Sequence, residues 1–184
     1  MKKIYLAGPD VFLRDGREIG RRKRELCEAS GFEGLFPLDQ DPEVETDAGA
    51  IFAANRRLIE QADLGLFNLS PFRGPSADPG TVFELGMLFA RGKPLFGYSN
   101  ATATYRDRVK ETLGGRGRIG ALLTDPDGRT VENFGLVDNL MIVHAIEASG
   151  GAIVTREETG PGGDPLPAFA AFAACLEIAG RRCR

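Results

Sequence analysis

Short apolar runs alternate with longer segments of helical periodicity four times in roughly the first hundred residues, and this alternation constrains the fold more than any other feature of the chain. Ile4 to Ala7 is an apolar run ended by Gly8-Pro9, which reads as a first, central strand delivering a tight turn that carries Phe12. A charged segment from about Asp15 to Ser30, with Ile19 and Leu26 on one face, predicts a helix closed by Gly31. Phe32 to Leu38 predicts a second strand, with the polar turn Asp39-Gln40-Asp41-Pro42-Glu43 at its carboxyl end, and Ala48 to Gln61 a second helix. Leu64 to Leu69 and Pro94 to Tyr98 read as strands three and four, separated by a helix that starts at Asp78-Pro79 and runs to about Arg91.

Such alternation is the pattern of a parallel sheet covered on both faces. The expected class is α/β: a flavodoxin-like doubly wound parallel sheet of about five strands in the order 2-1-3-4-5, because right-handed crossovers favour that winding. No G-x-G-x-x-G fingerprint stands at any of these strand-to-helix junctions and no G-x-x-x-x-G-K-[ST] occurs, so neither a dinucleotide fold nor a phosphate-binding loop of those kinds is supported. Beyond Asn100 the pattern loosens. An irregular segment at about 100–133 has a short helix at Tyr105 to Leu113 and turn signals at Gly114-Gly115 and Asp125-Pro126-Asp127-Gly128. Asp138 to Ser149 is a strongly apolar helix opened by Asp138 or Asn139, Gly150-Gly151 stops it, and Ile153-Val154 offers a fifth strand. A Gly/Pro linker at 159–165 precedes an alanine-rich helix from Pro167 to Gly180.

At 184 residues with 42% apolar content, a single α/β domain over residues 1–184 is expected. The balance of 23 basic against 26 acidic residues, net charge -3, argues against a nucleic-acid polymer as partner. Arginines crowd between Arg14 and Arg24, but Glu18 and Glu25 interrupt them, which reads as a solvated helix face. Cys27, Cys175 and Cys183 are odd in number and lack metal-ligand spacing, so a reduced, cytoplasmic protein is expected, with no metal and no cofactor implied. No apolar run is long enough to span a bilayer. The single histidine, His144, lies in the apolar run Leu140 to Ile146 and reads as a core or interface residue rather than a catalytic one.

The stretch from Ser70 to Met87 stands out, because a Pro/Gly-rich strand-end loop leads into a helix bearing one carboxylate, Glu84, on an otherwise apolar side. Ligand sites of open α/β sheets form at such strand ends. Glu84 shares its face with Thr81, Met87 and Leu88, none of them basic. Either it is held in a cleft for chemistry, it is solvated on an outward face, or Thr81-x-x-Glu84 is a capping box. One carboxylate in an apolar cleft, backbone-presenting turns at strand ends and no catalytic histidine suit a short list of reactions on which glycosyl transfer is prominent, in which a Glu attacks an anomeric carbon, holds the sugar as an ester and releases it to a second acceptor with net retention.

Four segments taken in order carry a resemblance: Lys3-Ile4-Tyr5-Leu6-Ala7-Gly8-Pro9, Leu69-Ser70-Pro71-Phe72-Arg73-Gly74, Asp78-x-Gly80-Thr81-x-Phe83-Glu84-x-Gly86, and Phe134-Gly135-Leu136-x-x-Asn139-Leu140-Met141. Together they resemble the nucleoside 2-deoxyribosyltransferases, from about Lys3 to His144. The resemblance implies a flavodoxin-like protomer that exchanges the base of a 2'-deoxyribonucleoside, a salvage reaction, through a covalent deoxyribosyl ester on Glu84. It makes Tyr5 the phenol that orients Glu84, where by itself Tyr5 reads as a core strand residue. Asp78 resembles the carboxylate that binds the sugar 5'-hydroxyl, and it is also a helix cap. Asn139 and Met141 resemble residues donated by a neighbouring subunit of a homo-oligomer, although alone they read as a cap and a core residue.

Asn55 falls where some members of the family carry an Asp that protonates the leaving base, and an amide has no such proton to give. Gly8 belongs to the turn beside the site. Asp39 and Gln40 lie near where the family reads the base edge, and Phe12 is placed to stack on base or sugar; a polar turn and a core phenylalanine are the alternative readings. The implied partners are a 2'-deoxynucleoside and a free purine or pyrimidine base. Two rivals remain at this stage: a 2'-deoxynucleoside (5'-monophosphate) N-glycosidase, disfavoured because an anionic Asp78 would repel a 5'-phosphate, and a non-catalytic nucleotide-binding signalling module on the same fold.

Overall fold

The computed structural model describes residues 1–39, 47–114, 118–119, 123–157 and 166–183. Its strands are β1 (Lys2–Ala7), β2 (Phe32–Leu35), β3 (Leu64–Asn68), β4 (Leu95–Ser99), β5 (Arg118–Ile119), β6 (Leu123–Thr124) and β7 (Ile153–Thr155). The helices are α1 (Gly16–Ala29), α2 (Ala48–Gln61), α3 (Pro79–Ala90), α4 (Tyr105–Thr112), α5 (Leu140–Ala148) and α6 (Phe169–Arg182). Five strands pair in parallel in the order β2-β1-β3-β4-β7, the order expected from the alternation, with Ile153–Thr155 as the fifth strand. β5 and β6 form a separate antiparallel pair.

The pleat of β1 decides where the site forms. Ile4 and Leu6 face one core, made with Cys27 of α1 and Phe172, Cys175 and Leu176 of α6. Tyr5 and Ala7 point through the opposite face into a second core with Ile59 of α2, Leu85 and Leu88 of α3 and Ile146 of α5. Tyr5 is therefore aimed at α3 although its ring is fully buried. Chain order reverses at β1 and β3, and the turns that leave these two strands bound the crevice where this class of sheet takes ligands.

Several elements differ from the reading of the sequence. The second strand stops at Leu35, because Pro37 has no N–H for the ladder, and Pro37–Asp39 makes a single 3-10 turn. The last helix begins at Phe169 rather than Pro167, with Ala168 in the left-handed region at φ 44. Within the segment from 100 to 133 the described residues hold α4, the β5–β6 pair and a turn closed by Gly128 N–H to Asp125 O at 3.0 Å. Residues 115–120 have G-x-G-x-x-G spacing, but Arg118–Ile119 is a strand and opens no helix.

His144 is exposed and pairs with Glu147 at 2.7 Å, so it is not a core residue of this chain; the buried face of α5 is Ile142, Val143 and Ile146. The solvated reading of α1 holds for Arg21, which pairs with Glu18 and Glu25, but Lys23 on the same helix is only 1% exposed. Gln40 and the linker at 159–165 lie outside the described residues. Among the described residues no helix is long and apolar enough to cross a membrane.

Candidate active site

Asp78 starts α3. Its Oδ2 accepts from Thr81 N–H at 2.9 Å and from Thr81 Oγ1 at 3.1 Å, and Pro79 occupies the first helical position without losing a hydrogen bond. The backbone N–H of Thr81 is thus satisfied from Asp78, and no Thr81–Glu84 capping box forms; Glu84 sits inside the helix and turns toward β1. There Tyr5 Oη donates to Glu84 Oε1 at 2.8 Å, and Asn55 Nδ2 of α2 approaches the same oxygen at 3.4 Å.

Burial pushes the Glu84 carboxyl up to about 7, with the charge of Asp78 adding to the rise, while the hydrogen bonds from Tyr5 and Asn55 oppose it by favouring the carboxylate. Burial and the Glu84 charge drive the Tyr5 phenol far above its ordinary value, so it stays a donor. A carboxylate poised near neutrality beside a permanent phenol donor suits nucleophilic work in a cleft.

The carboxylate opens into a cavity of about 210 Å³ lined by Gly8, Phe12, Pro37, Asn55, Asp78 and Glu84 among others. A second hollow of about 150 Å³, walled by Phe52, Arg56, Phe83 and Met87, meets the first at Asn55, Gly80 and Glu84. Phe12 is not a core residue: it is 55% exposed and stacks on Phe72 at 5.2 Å, with the Arg73 guanidinium over both rings. Gly8 is required by close approach, since a Cβ there would fall 2.5 Å from Asn68 Cβ and 2.7 Å from Asp10 Oδ2. Gly8→Ala is therefore expected to lower stability by about 1–3 kcal/mol and to displace the turn that walls the cavity, read as a lower melting temperature.

The remaining candidates stand apart from this cavity. Asp39 accepts from Phe36 N–H at 3.2 Å and pairs with Arg24 at 3.2 Å, and its neighbour Pro37 is the residue that reaches the cavity wall. Asn139 caps α5, its Oδ1 accepting from Met141 N–H at 3.0 Å and its Nδ2 donating to Glu132 at 2.6 Å. Met141 is 71% exposed, against its reading as core.

The family model for nucleoside 2-deoxyribosyltransferase matches residues 4–141. The chain belongs to the nucleoside 2-deoxyribosyltransferase family. That match spans β1, α3 with Glu84, and the start of α5, so it covers every described part of the cavity. A structure of a 2-deoxyribosyltransferase from Leishmania mexicana is similar to the chain at 32% identity and TM-score 0.64, covering 96% of this chain and 98% of that one. An uncharacterised protein of Schizosaccharomyces pombe is 34% identical, over 82% of this chain and 79% of its own length. A conserved protein from Enterococcus faecalis shares the fold at 21% identity and TM-score 0.55, with 99% of each chain covered.

Sequence reasoning passed over the polar layer behind the cavity. Lys23 Nζ lies 2.9 Å from Asp10 Oδ1 and donates to Tyr98 Oη at 2.8 Å, with Lys23 and Asp10 each 1% exposed. Asn68 Nδ2 donates to Asp10, and Asn68 Oδ1 accepts from Ser70 Oγ at 2.6 Å. One signal for this layer was present: Asn68 is the single polar residue of the otherwise apolar run Leu64 to Leu69.

Proposed function

We propose that this chain is a nucleoside 2-deoxyribosyltransferase that moves the 2-deoxyribosyl group of a 2'-deoxyribonucleoside from one nucleobase to another through a covalent ester on Glu84, with retention. The observation that carries the reading is the Tyr5–Glu84 hydrogen bond of 2.8 Å at the wall of a cavity that also contains Asp78.

In the first half-reaction a Glu84 carboxylate oxygen bonds to C1' and the C1'–N bond breaks, its electron pair leaving with the base, which takes up a proton from water or from the incoming base. Tyr5 and Asn55 both hold Oε1, which orients the carboxylate and leaves Oε2 to attack. In the second, a ring nitrogen of the acceptor base bonds to C1' from the opposite face and its N–H proton passes to water, while the bond from C1' to the Glu84 oxygen breaks and its electrons return to the carboxylate. Two inversions give net retention. Without an electron-withdrawing 2'-hydroxyl the oxocarbenium-like transition state is reached more easily, which suits a site with one nucleophile. Asp78 uses Oδ2 for its cap, so Oδ1 is available to the 5'-hydroxyl. The exposure of Met141 supports a homo-oligomer in which this residue, with Asn139 at the same helix start, closes a neighbouring subunit's pocket.

Intact mass after incubation with a 2'-deoxynucleoside is expected to show one added deoxyribosyl unit, absent in Glu84→Ala, and addition of a second base is expected to yield the new nucleoside. Release of sugar independent of any acceptor would identify a hydrolase instead. Neither adduct nor exchange would leave a binding module.

A further inference from the structure

The loop that delivers Asp78 is held by a charge pair that is not part of the cavity lining. Asp138, whose side chain is fully buried, receives Ala77 N–H on Oδ2 at 3.1 Å, Asn139 N–H on Oδ1 at 2.8 Å and the hydroxyl of Ser76 on Oδ1. Arg108 of α4 stands 3.5 Å from Asp138 Oδ2 and spends its other donors on main chain: Nε on Pro75 O at 2.8 Å, Nη1 on Ala103 O at 2.6 Å and Nη2 on Val137 O at 2.7 Å. The two side chains thus grip Pro75, Ser76 and Ala77, the three consecutive residues before Asp78.

That grip answers a need the loop cannot meet alone. Between β3 and α3 the chain runs through Leu69 to Asp78, with two prolines, a glycine and Arg73 in the left-handed region at φ 54. Its internal hydrogen bond is Phe72 N–H to Ser76 O at 3.0 Å. Asp78 itself is held to Thr81, which orients its carboxylate relative to α3 but does nothing to locate the loop behind it. A guanidinium fork joining three backbone segments, with a carboxylate that takes four donors, is a satisfied and therefore rigid buried network.

We propose that Arg108 and Asp138 are positioning residues for substrate, locating Asp78 for the 5'-hydroxyl of the nucleoside. The inference rests on the sugar-binding reading of Asp78 and not on group transfer. Loosening the grip lets Asp78 drift while Tyr5, Asn55 and Glu84, which hang from β1, α2 and the interior of α3, keep their mutual contacts. The defect is accordingly specific to substrates that have a 5'-hydroxyl.

The test is binding, measured by calorimetry on the full chain carrying Glu84→Gln, so that no turnover intervenes. 2'-Deoxyadenosine is compared with 2',5'-dideoxyadenosine, and thymidine with 5'-deoxythymidine. Asp138→Asn is expected to weaken binding of the 5'-hydroxyl compounds about ten-fold and Ser76→Ala about three-fold, with less than about a two-fold effect on the 5'-deoxy compounds. Ser76→Ala removes one contact only and reports the effect if Asp138→Asn folds poorly. Equal weakening of both members of a pair, or no weakening of either, overturns the proposal. Base exchange by the unsubstituted chain is assayed separately, so a failure of the transferase reading is distinguishable from a failure of this one.

Discussion

Base exchange is expected to fall about 100-fold in kcat/KM between pH 8.5 and pH 5, along a single ionisation near 7. The group responsible is Glu84, whose carboxyl is raised to about 7 chiefly by burial. In the proposed mechanism only the carboxylate attacks, so at pH 5 about one molecule in a hundred is competent. Tyr5→Phe removes a hydrogen bond that favours the charged form and should move the midpoint above 7 as well as lower the plateau. The same shift carries a stability consequence. Because the folded-state pKa exceeds the unfolded one, ionised Glu84 costs nothing below about pH 4.5, costs progressively more as the pH rises, and reaches its full cost above about 7. Glu84→Gln, inert as a catalyst, should therefore be more stable than the parent by about 2–3 kcal/mol at pH 8.5, with the difference shrinking toward pH 4.5. A pH-independent rate between 5 and 8.5, or a stability difference that does not change with pH, would contradict this account.

The second large effect is thermodynamic. Lys23→Met should destabilise the fold by about 3–5 kcal/mol, because it strands the Asp10 carboxylate in a site that is 1% exposed. A chain of this size should lose roughly ten degrees in melting temperature. Adding Asp10→Asn should recover much of the loss, since the neutral amide needs no counter-ion and can still accept from Asn68. Chemical denaturation of the single and double variants gives the comparison, and a cost below about 1 kcal/mol for Lys23→Met would mean that water reaches Asp10. Asp10 belongs to the turn whose Gly8, Val11 and Phe12 wall the cavity, so loss of the pair should also weaken the proposed nucleoside binding.

Much of the architecture was legible because it depends on local periodicity. The apolar runs at Ile4 to Ala7, Leu64 to Leu69 and Leu95 to Tyr98 are too short for helices and too apolar for a half-solvated sheet, which leaves parallel strands covered on both faces. The caps were legible for the same reason: Asp78, Asn139 and Gly31 act within a few residues of themselves. Strand β2 is shorter than the apolar run from Phe32 to Leu38 because Pro37 lacks the N–H that a ladder needs, which apolar character alone does not register.

Local periodicity and capping set the layer order of the fold and put Glu84 on a helix that begins at Asp78, and the four motifs point to the chemistry. Which side chains meet depends instead on how the helices pack over the sheet. Tyr5 reaches Glu84 across 79 positions because the pleat of β1 sends alternate residues to opposite cores. Lys23 lies close to the solvated Arg21, yet finds Asp10 and Tyr98 because its position falls on the face of α1 that is buried with Ile19 and Cys27. Arg108 and Asp138 meet across 30 positions to grip a loop more than 30 positions before either of them. Periodicity specifies the face on which a side chain emerges, but contact between distant residues follows from how the helices pack over the sheet, and only the packed chain contains that information.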